Sequence, residues 1–219
     1  MSTQVQSTGA QPGQWTEDGG KLLSQPFVNF IARRRIAISL IGFLSLMSYN
    51  LFIKGTIPLN PFDLTDLRTL IALAMLTTGL GIRSWAAGTL NKSREVTQHG
   101  PYAIVRNPLY VGSFLMMFAF CVLLRDFASF LFVAGPICFV YWLQVQFEEK
   151  RLLFMFPNEW PDYACRVPRF IPNRMPRNAF QGWTKFEWLR NREYKAISAS
   201  AFGLVAVFGW RLISSQIWV

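Results

Sequence analysis

The chain has 219 residues and a formal net charge of +10, with 52% hydrophobic and 16% charged residues. Its apolar residues form long blocks, such as 127–145, rather than the periodic stripes of a soluble core. A block of about 20 apolar residues is what the hydrocarbon core of a bilayer requires. Three cysteines without a CxxC pattern argue against a disulfide framework, and a single histidine argues against a histidine-rich metal site. The composition predicts an integral membrane protein and favours neither a soluble nor a metal-centred one.

The N-terminal residues 1–30 are mostly polar and lack the apolar core of a signal peptide. We expect a disordered cytoplasmic tail there, followed by one membrane domain over residues 31–219. A basic cluster at 33–35 precedes the first predicted span, residues 36–53.

The second predicted span covers residues 67–90, with Asp66 as its N-terminal cap. Arg83, near the end of this span, is expected to reach the membrane interface by extending its side chain. Residues 109–124 and 127–147 predict a transmembrane hairpin, which is followed by a charged region over 148–195 and a last span at about 196–217. The predicted fold is therefore all-α, with about five transmembrane helices and charged segments toward the C-terminus on the cytoplasmic side.

Most of the 22 Lys and Arg residues fall on one side of this five-span arrangement. Since cytoplasmic loops are enriched in basic residues, the N-terminus is predicted inside and the C-terminus outside. The basic residues then set topology and have anionic headgroups as their default partner. No nucleic-acid partner is expected.

Two cytoplasmic segments, 99–112 and 147–172, lie at the two ends of the predicted hairpin. The hairpin returns the chain to the same membrane face, so Arg106 and the pair Glu148–Glu149 should be neighbours. Adjacent carboxylates repel each other and need a cationic partner. A cleft with carboxylates, a guanidinium and tyrosines could hold a zwitterionic ligand.

The motifs of these segments resemble the isoprenylcysteine carboxyl methyltransferase family, and phospholipid N-methyltransferases share a looser version. The resemblance covers about residues 85–172. Its elements are GPY at 100–102, RNPLYVG at 106–112, EE at 148–149, Tyr163 and VPRFIP at 167–172.

The resemblance implies an enzyme that transfers a methyl group from S-adenosyl-L-methionine to a lipophilic acceptor at the cytoplasmic face. It also implies that the cytoplasmic C-terminal segments bind this cofactor. Catalytic roles would fall to Arg106, Glu148 and Asn107. Asn107 stands where the family has histidine, which puts a proton-removing role at this position in doubt. The cofactor-binding residues implied are His99, Gly100, Pro101, Tyr102, Pro108, Tyr110, Glu149 and Tyr163, and no metal is implied.

The acceptor stays open between a carboxylate on a lipid-modified molecule and a lipid amine. Alternatives to a methyltransferase are a nicotinamide-dependent membrane reductase of the sterol-reductase type and a non-catalytic membrane subunit. The expected partners are the membrane and a lipid or lipid-modified substrate, and the sequence does not indicate an oligomeric state. The expected location is a bacterial inner membrane rather than an endomembrane.

Overall fold

The computed structural model describes residues 53–92 and 95–217, together with residues 41–42, 45–46 and 48–49. The predicted tail at 1–30 lies outside the described residues. So does most of the first predicted span, residues 36–53.

Helix α1 runs from Leu67 to Thr89. It begins at the predicted cap, because the Asp66 carboxylate accepts a hydrogen bond from the Arg68 backbone N–H at 2.9 Å. The hydrogen bonds from Arg68 also hold the pKa of Asp66 below its usual value. The predicted second span is thus a helix of 23 residues.

Helices α2 (Pro108–Leu124) and α3 (Phe127–Met155) form the predicted hairpin. The turn between them places Arg125 in the left-handed region, with φ of 52°. Within α3 a π-helical stretch, Val133–Ile137, contains Pro136, which has no N–H to donate to the preceding turn.

Helix α3 extends two turns beyond residue 147, where the sequence predicted its end. Glu148 and Glu149 therefore lie on a continuous helix and not in a charged loop. The predicted helix end is too early because these two charged residues resemble the start of a polar loop.

Further helical elements follow, separated by irregular segments. Short 3₁₀ turns occur at Gly100–Ala103 and Arg177–Phe180. The remaining helices are α4 (Trp160–Arg166), α5 (Lys185–Arg190) and α6 (Tyr194–Ile217). No strand occurs among the described residues.

Three of these helices, α1, α3 and α6, are long and apolar enough to cross a membrane. Helix α2 is apolar but has 17 residues, fewer than a typical span. The all-α membrane fold is therefore confirmed for the described part of the chain, whereas the count of five spans stays a prediction.

Helices α1 and α2 pack backbone against backbone at a pair of glycines. A Cβ added to Gly112 would lie 2.6 Å from the Gly79 carbonyl oxygen, and one added to Gly79 would lie 2.7 Å from the Gly112 carbonyl oxygen. Because no side chain fits at either position, the two helices approach as small-residue helix pairs do in membranes. This contact fixes where α2 starts relative to the end of α1.

The opposite end of the bundle is closed by the connection that precedes α1. The Leu59 backbone N–H donates to the Leu123 carbonyl at 2.7 Å. Arg211, within α6, donates from Nη1 to the Pro58 carbonyl at 2.7 Å. The intramembrane arginine therefore satisfies a backbone carbonyl in the same protein.

Candidate active site

A cavity of about 680 Å³ lies where α1 ends and α2 begins. Its size is within the usual range for small-molecule sites. Five of the predicted site residues line it, namely Tyr102, Arg106, Tyr110, Glu148 and Tyr163. Further residues of α1, α2, α3, α4 and the 90–97 segment complete the wall, among them Arg83, Asn91, Ser113, Tyr141, Gln144, Arg151 and Trp160.

Glu148 is positioned from both helices of the hairpin. Its Oε1 accepts a hydrogen bond from the Tyr110 hydroxyl at 2.8 Å and another from Gln144 Nε2 at 2.8 Å. Gln144 lies one turn earlier on α3, so the two side chains share a helix face. These two donors, one from each helix of the hairpin, help to hold the carboxylate at the cavity.

Glu149 is held differently, by two arginines. Arg169 forms a bidentate pair with it, with Nε–Oε1 at 3.0 Å and Nη2–Oε2 at 2.6 Å. Arg106 Nη1 lies 3.4 Å from Glu149 Oε1. Such charge-assisted pairs are the strongest hydrogen bonds of proteins. The structure thus brings Arg106 and the acidic pair together, as the sequence predicted, and Glu149 itself is not among the cavity-lining residues.

Asn107 and Pro108 start α2 beside this network. Asn107 occupies the N-cap position, but its side chain makes no capping hydrogen bond. Its Nδ2 donates to the Arg169 carbonyl at a long 3.4 Å. Pro108 takes the first helical position, which suits a residue without an N–H. Neither residue lines the cavity, so the predicted roles of both stay predictions.

Tyr102 and Tyr163 join the two motif segments. The Tyr163 hydroxyl donates to the Tyr102 carbonyl at 2.8 Å. Burial raises the pKa of both phenols above the usual value. Both hydroxyls therefore stay neutral at physiological pH and can act as hydrogen-bond donors.

His99, Gly100 and Pro101 shape the turn behind the cavity and are not among its lining residues. Gly100 has φ of +61°, and a Cβ there would lie 2.5 Å from the Thr89 side chain. Only glycine suits this position on both counts. The His99 ring packs so closely on Gly182 that no side chain would fit there. The predicted cofactor contact of His99 remains untested.

The cavity wall contains an ion pair that the sequence did not predict. Arg83 forms a bidentate pair with Glu193, at 2.8 and 3.0 Å. Its Nη1 also donates to Ser113 Oγ at 2.5 Å. The Glu193 side chain is 3% exposed. The available signal was an arginine within an apolar span together with a glutamate directly before the last helix.

Several polar atoms of cavity-lining residues lack a hydrogen-bond partner although they are buried. They are Asn91 Oδ1, Tyr102 Oη, Arg106 Nε and Gln144 Oε1. The described chain has two further such atoms, both on α6, Trp210 Nε1 and Ser214 Oγ. A buried polar group without a partner costs free energy. The cavity wall therefore offers donors and acceptors that a polar ligand would satisfy.

The residues present fit the amino-acid part of S-adenosyl-L-methionine. Arg106 Nε can donate to a carboxylate, while Gln144 Oε1 and the Glu148 carboxylate can accept from an ammonium group. Apolar surface for the rest of a larger ligand comes from Leu109, Phe147, Leu152, Met155 and Trp160.

Comparison with known proteins shows a family match over the part of the chain that contains most of the cavity wall. Residues 67–159 match the model of the phospholipid methyltransferase family. The matched stretch begins with α1 and ends just before α4, so it contains both arms of the hairpin and the Arg106–Glu149 contact. Together with an isoprenylcysteine methyltransferase relative, this match confirms the family resemblance indicated by the motifs.

Three individual relatives are recorded. Nickel-cobalt-cadmium resistance protein NccN of Alcaligenes xylosoxydans xylosoxydans is 33% identical over 48% of this chain and 53% of its own length. Cobalt-zinc-cadmium resistance protein CzcN of Cupriavidus metallidurans is 27% identical over 74% of each chain. Protein-S-isoprenylcysteine O-methyltransferase of Schizosaccharomyces pombe is 30% identical over 45% of this chain and 42% of its own length.

The match thus spans about half the length of the first and third of these relatives. No solved structure shows a significant match. The comparisons support neither the sterol-reductase alternative nor the non-catalytic subunit.

Proposed function

We propose that the protein transfers a methyl group from S-adenosyl-L-methionine to a lipophilic acceptor at the cytoplasmic membrane face. The observation that carries this proposal is the set of partnerless buried polar atoms around the 680 Å³ cavity, within the segment that matches the methyltransferase family. These atoms include both a donor and acceptors, as a zwitterionic ligand requires.

Arg106 has a double role in this proposal. Its Nη1 is engaged by Glu149, which fixes the guanidinium in place, while Nε is left for the ligand carboxylate. Glu149 and Arg169 are therefore positioning residues. Their bidentate pair lies within the 147–172 segment and fixes the carboxylate that contacts Arg106 of the 99–112 segment.

Glu148 and Gln144 would bind the ligand's ammonium group. Gln144 donates through Nε2 to Glu148, which leaves Gln144 Oε1 as an acceptor. Tyr110 holds the Glu148 carboxylate from the facing helix. Because Arg106, Gln144 and Glu148 line the same cavity, the proposal assigns the carboxylate end of the zwitterion to Arg106 and the ammonium end to the acceptors.

The cofactor supplies an electrophilic methyl group on a sulfonium, whose positive charge is lost in the transfer. The chain contributes orientation and exclusion of water, which matter most for such a displacement. Buried neutral phenols at Tyr102 and Tyr163 suit this task, because they line the cavity without adding charge.

The acceptor is a carboxylate or an amine, and the two give chemically distinct products. A methyl ester releases methanol in alkali, whereas an N-methylated lipid does not. Incubating membranes with methyl-labelled cofactor and treating the lipid and protein fractions with alkali separates the two reactions.

The test of the proposed function is calorimetry of the purified full chain in detergent. S-adenosylhomocysteine should bind, and a reduced nicotinamide dinucleotide should not. Binding of the dinucleotide alone would reject the methyltransferase in favour of a reductase. Binding of neither, by a protein that melts cooperatively, would favour a non-catalytic subunit.

A second candidate concerns the process that the reaction serves. The match to the cobalt-zinc-cadmium resistance protein covers 74% of both chains, more than the match to the isoprenylcysteine methyltransferase. We propose that methyl transfer contributes to tolerance of heavy-metal ions. In the source organism, loss of the gene should lower cobalt tolerance. Arg106→Ala should fail to restore it, and restoration by this variant would separate tolerance from methyl transfer.

A further inference from the structure

The segment between α4 and α6 exposes an unusual number of large apolar side chains. They are Ile171, Met175, Phe180, Trp183, Phe186 and Leu189, with exposed fractions from 48% to 81%. Basic side chains alternate with them and are also exposed, namely Arg174, Arg177, Lys185, Arg190 and Arg192. Such a mixture is atypical of a surface that faces only water.

This segment is fixed against the last turns of α1. The Trp183 indole N–H donates to the Ser84 carbonyl at 3.1 Å, and the Trp188 indole donates to the Ser84 hydroxyl at 3.1 Å. Phe180 stacks on Trp85, with ring centroids 5.4 Å apart. The exposed aromatic residues therefore have a defined position beside a membrane span.

Asn191 fixes the other end of the segment. Its Nδ2 donates to the carbonyls of Ala87 and Leu90, each at 2.9 Å, and so satisfies the C-terminal end of α1. Tyr194 starts α6 three residues later. The segment thus lies between the ends of two helices that can each cross a membrane.

The depth of the aromatic residues follows from helix geometry. Ser84 precedes Thr89, the last residue of α1, by five residues, or about 7.5 Å along the axis. Amphipathic segments at a bilayer surface bury their apolar face about 5–10 Å into the boundary between headgroups and acyl chains. With the end of α1 taken as the bilayer surface, Phe180 and Trp183, which contact Trp85 and Ser84, would lie at this depth.

We propose that residues 171–192 form a membrane-surface platform that inserts its aromatic side chains at the lipid interface and binds anionic lipid headgroups through its basic residues. On α5, Phe186 and Leu189 are three residues apart and share one face, and Lys185 and Arg190 flank them. Glu187 is the one acidic residue between 171 and 192, and it is paired with Arg190 at 3.1 Å. The platform is therefore positive, as an anionic surface requires.

The lipid surface is favoured over a soluble anion because cations and exposed aromatic rings occur together. It is favoured over a protein partner because the segment is continuous with α6 and packed on α1, so it is held at the bilayer boundary. This platform is separate from the cavity, since none of its residues lines the cavity wall. The proposed membrane contact of the platform does not depend on whether the protein transfers methyl groups.

The test uses the full chain in vesicles with a nitroxide attached through Phe186→Cys. Cys138→Ala and Cys165→Ser remove the other reactive thiols, because Cys121 is buried. Collision with oxygen, which concentrates in lipid, is compared with collision with a water-soluble nickel complex. Asn158→Cys, at an exposed turn, is the matched control.

The nitroxide at residue 186 should collide several-fold more with oxygen than with nickel, and the one at residue 158 should show the reverse. The preference at residue 186 should be greater in mixed phosphatidylcholine and phosphatidylglycerol than in phosphatidylcholine alone. Arg177→Gln with Lys185→Gln should remove that difference. A nickel preference at residue 186 would overturn the platform, and low collision with both reagents would show a protein cover instead. Equal behaviour in both lipids would overturn the headgroup assignment.

Discussion

The two ends of the α2–α3 hairpin use charged side chains in different ways. At the turn, Asp126 is buried, and its carboxylate accepts from the backbone N–H groups of Ala128 and Ser129 at 3.3 and 2.7 Å. Lys54 approaches the same carboxylate at 3.5 Å. The Asp126 carboxylate therefore caps the start of α3 and pairs with a residue of the connection that precedes α1.

At the cavity end, charged groups pair with one another, and some buried polar atoms have no hydrogen-bond partner. Arg106 and Arg169 both bind Glu149, while Arg106 Nε and Gln144 Oε1 are buried without a partner. The same pair of helices therefore ends in a polar cluster optimised for stability at the turn and in an incompletely satisfied one at the cavity. Since unsatisfied buried groups are costly, the second arrangement indicates a ligand site.

The largest effect should come from the cavity end. Arg106→Ala and Glu148→Gln should each abolish methyl transfer, because each removes one end of the zwitterion-binding set. The measurement is transfer of labelled methyl to membrane lipids, with S-adenosylhomocysteine affinity from calorimetry. Arg166→Ala and Glu159→Gln, both exposed and outside the cavity wall, are the matched controls and should keep full activity. Full activity in Arg106→Ala and Glu148→Gln would remove the site assignment.

The ion pair of Arg83 and Glu193 should give the next largest effect, on stability. Glu193→Ala leaves a largely buried guanidinium without its carboxylate, and breaking such a pair costs about 3–5 kcal/mol. Thermal unfolding in detergent should show a marked loss. Adding Arg83→Met to Glu193→Ala should recover much of the stability, because no charge then remains buried. An equal loss in the double variant would contradict the role of the pair.

Much of this architecture is accessible from sequence. The cap at Asp66 follows from an acidic residue directly before an apolar block, and the meeting of Arg106 with Glu149 follows from hairpin geometry. These features depend on local patterns and on one reversal of the chain.

The Arg83–Glu193 pair could not be predicted in this way. Its partners are 110 residues apart, and Glu193 follows the long irregular region after α4. Which carboxylate an arginine within a span pairs with depends on how that region folds back on α1, and no sequence period encodes it. The different roles of Glu148 and Glu149 were also hidden, because they depend on which face of α3 each side chain occupies.

Mutations at the turn of the α2–α3 hairpin should change only the stability of the protein. Asp126→Ala removes both capping acceptors and should cost about 1–2 kcal/mol. Asp126→Asn keeps an oxygen for capping and should cost less. S-adenosylhomocysteine affinity should be unchanged in both variants, and a loss of affinity would show that the two ends of the hairpin are coupled.

Tyr102→Phe should give the smallest effect. It should stabilise the ligand-free protein and weaken the binding of ligand. The Tyr102 hydroxyl is buried without a partner in the ligand-free chain, so removing it should raise stability by about 1 kcal/mol. If the bound ligand satisfies that hydroxyl, the same variant should bind S-adenosylhomocysteine several-fold more weakly.

Tyr163→Phe is the matched comparison, because the Tyr163 hydroxyl already donates to the Tyr102 carbonyl. It should lower stability in both states. A Tyr102→Phe protein that is less stable without ligand would show that this hydroxyl belongs to the structural network and not to the ligand site.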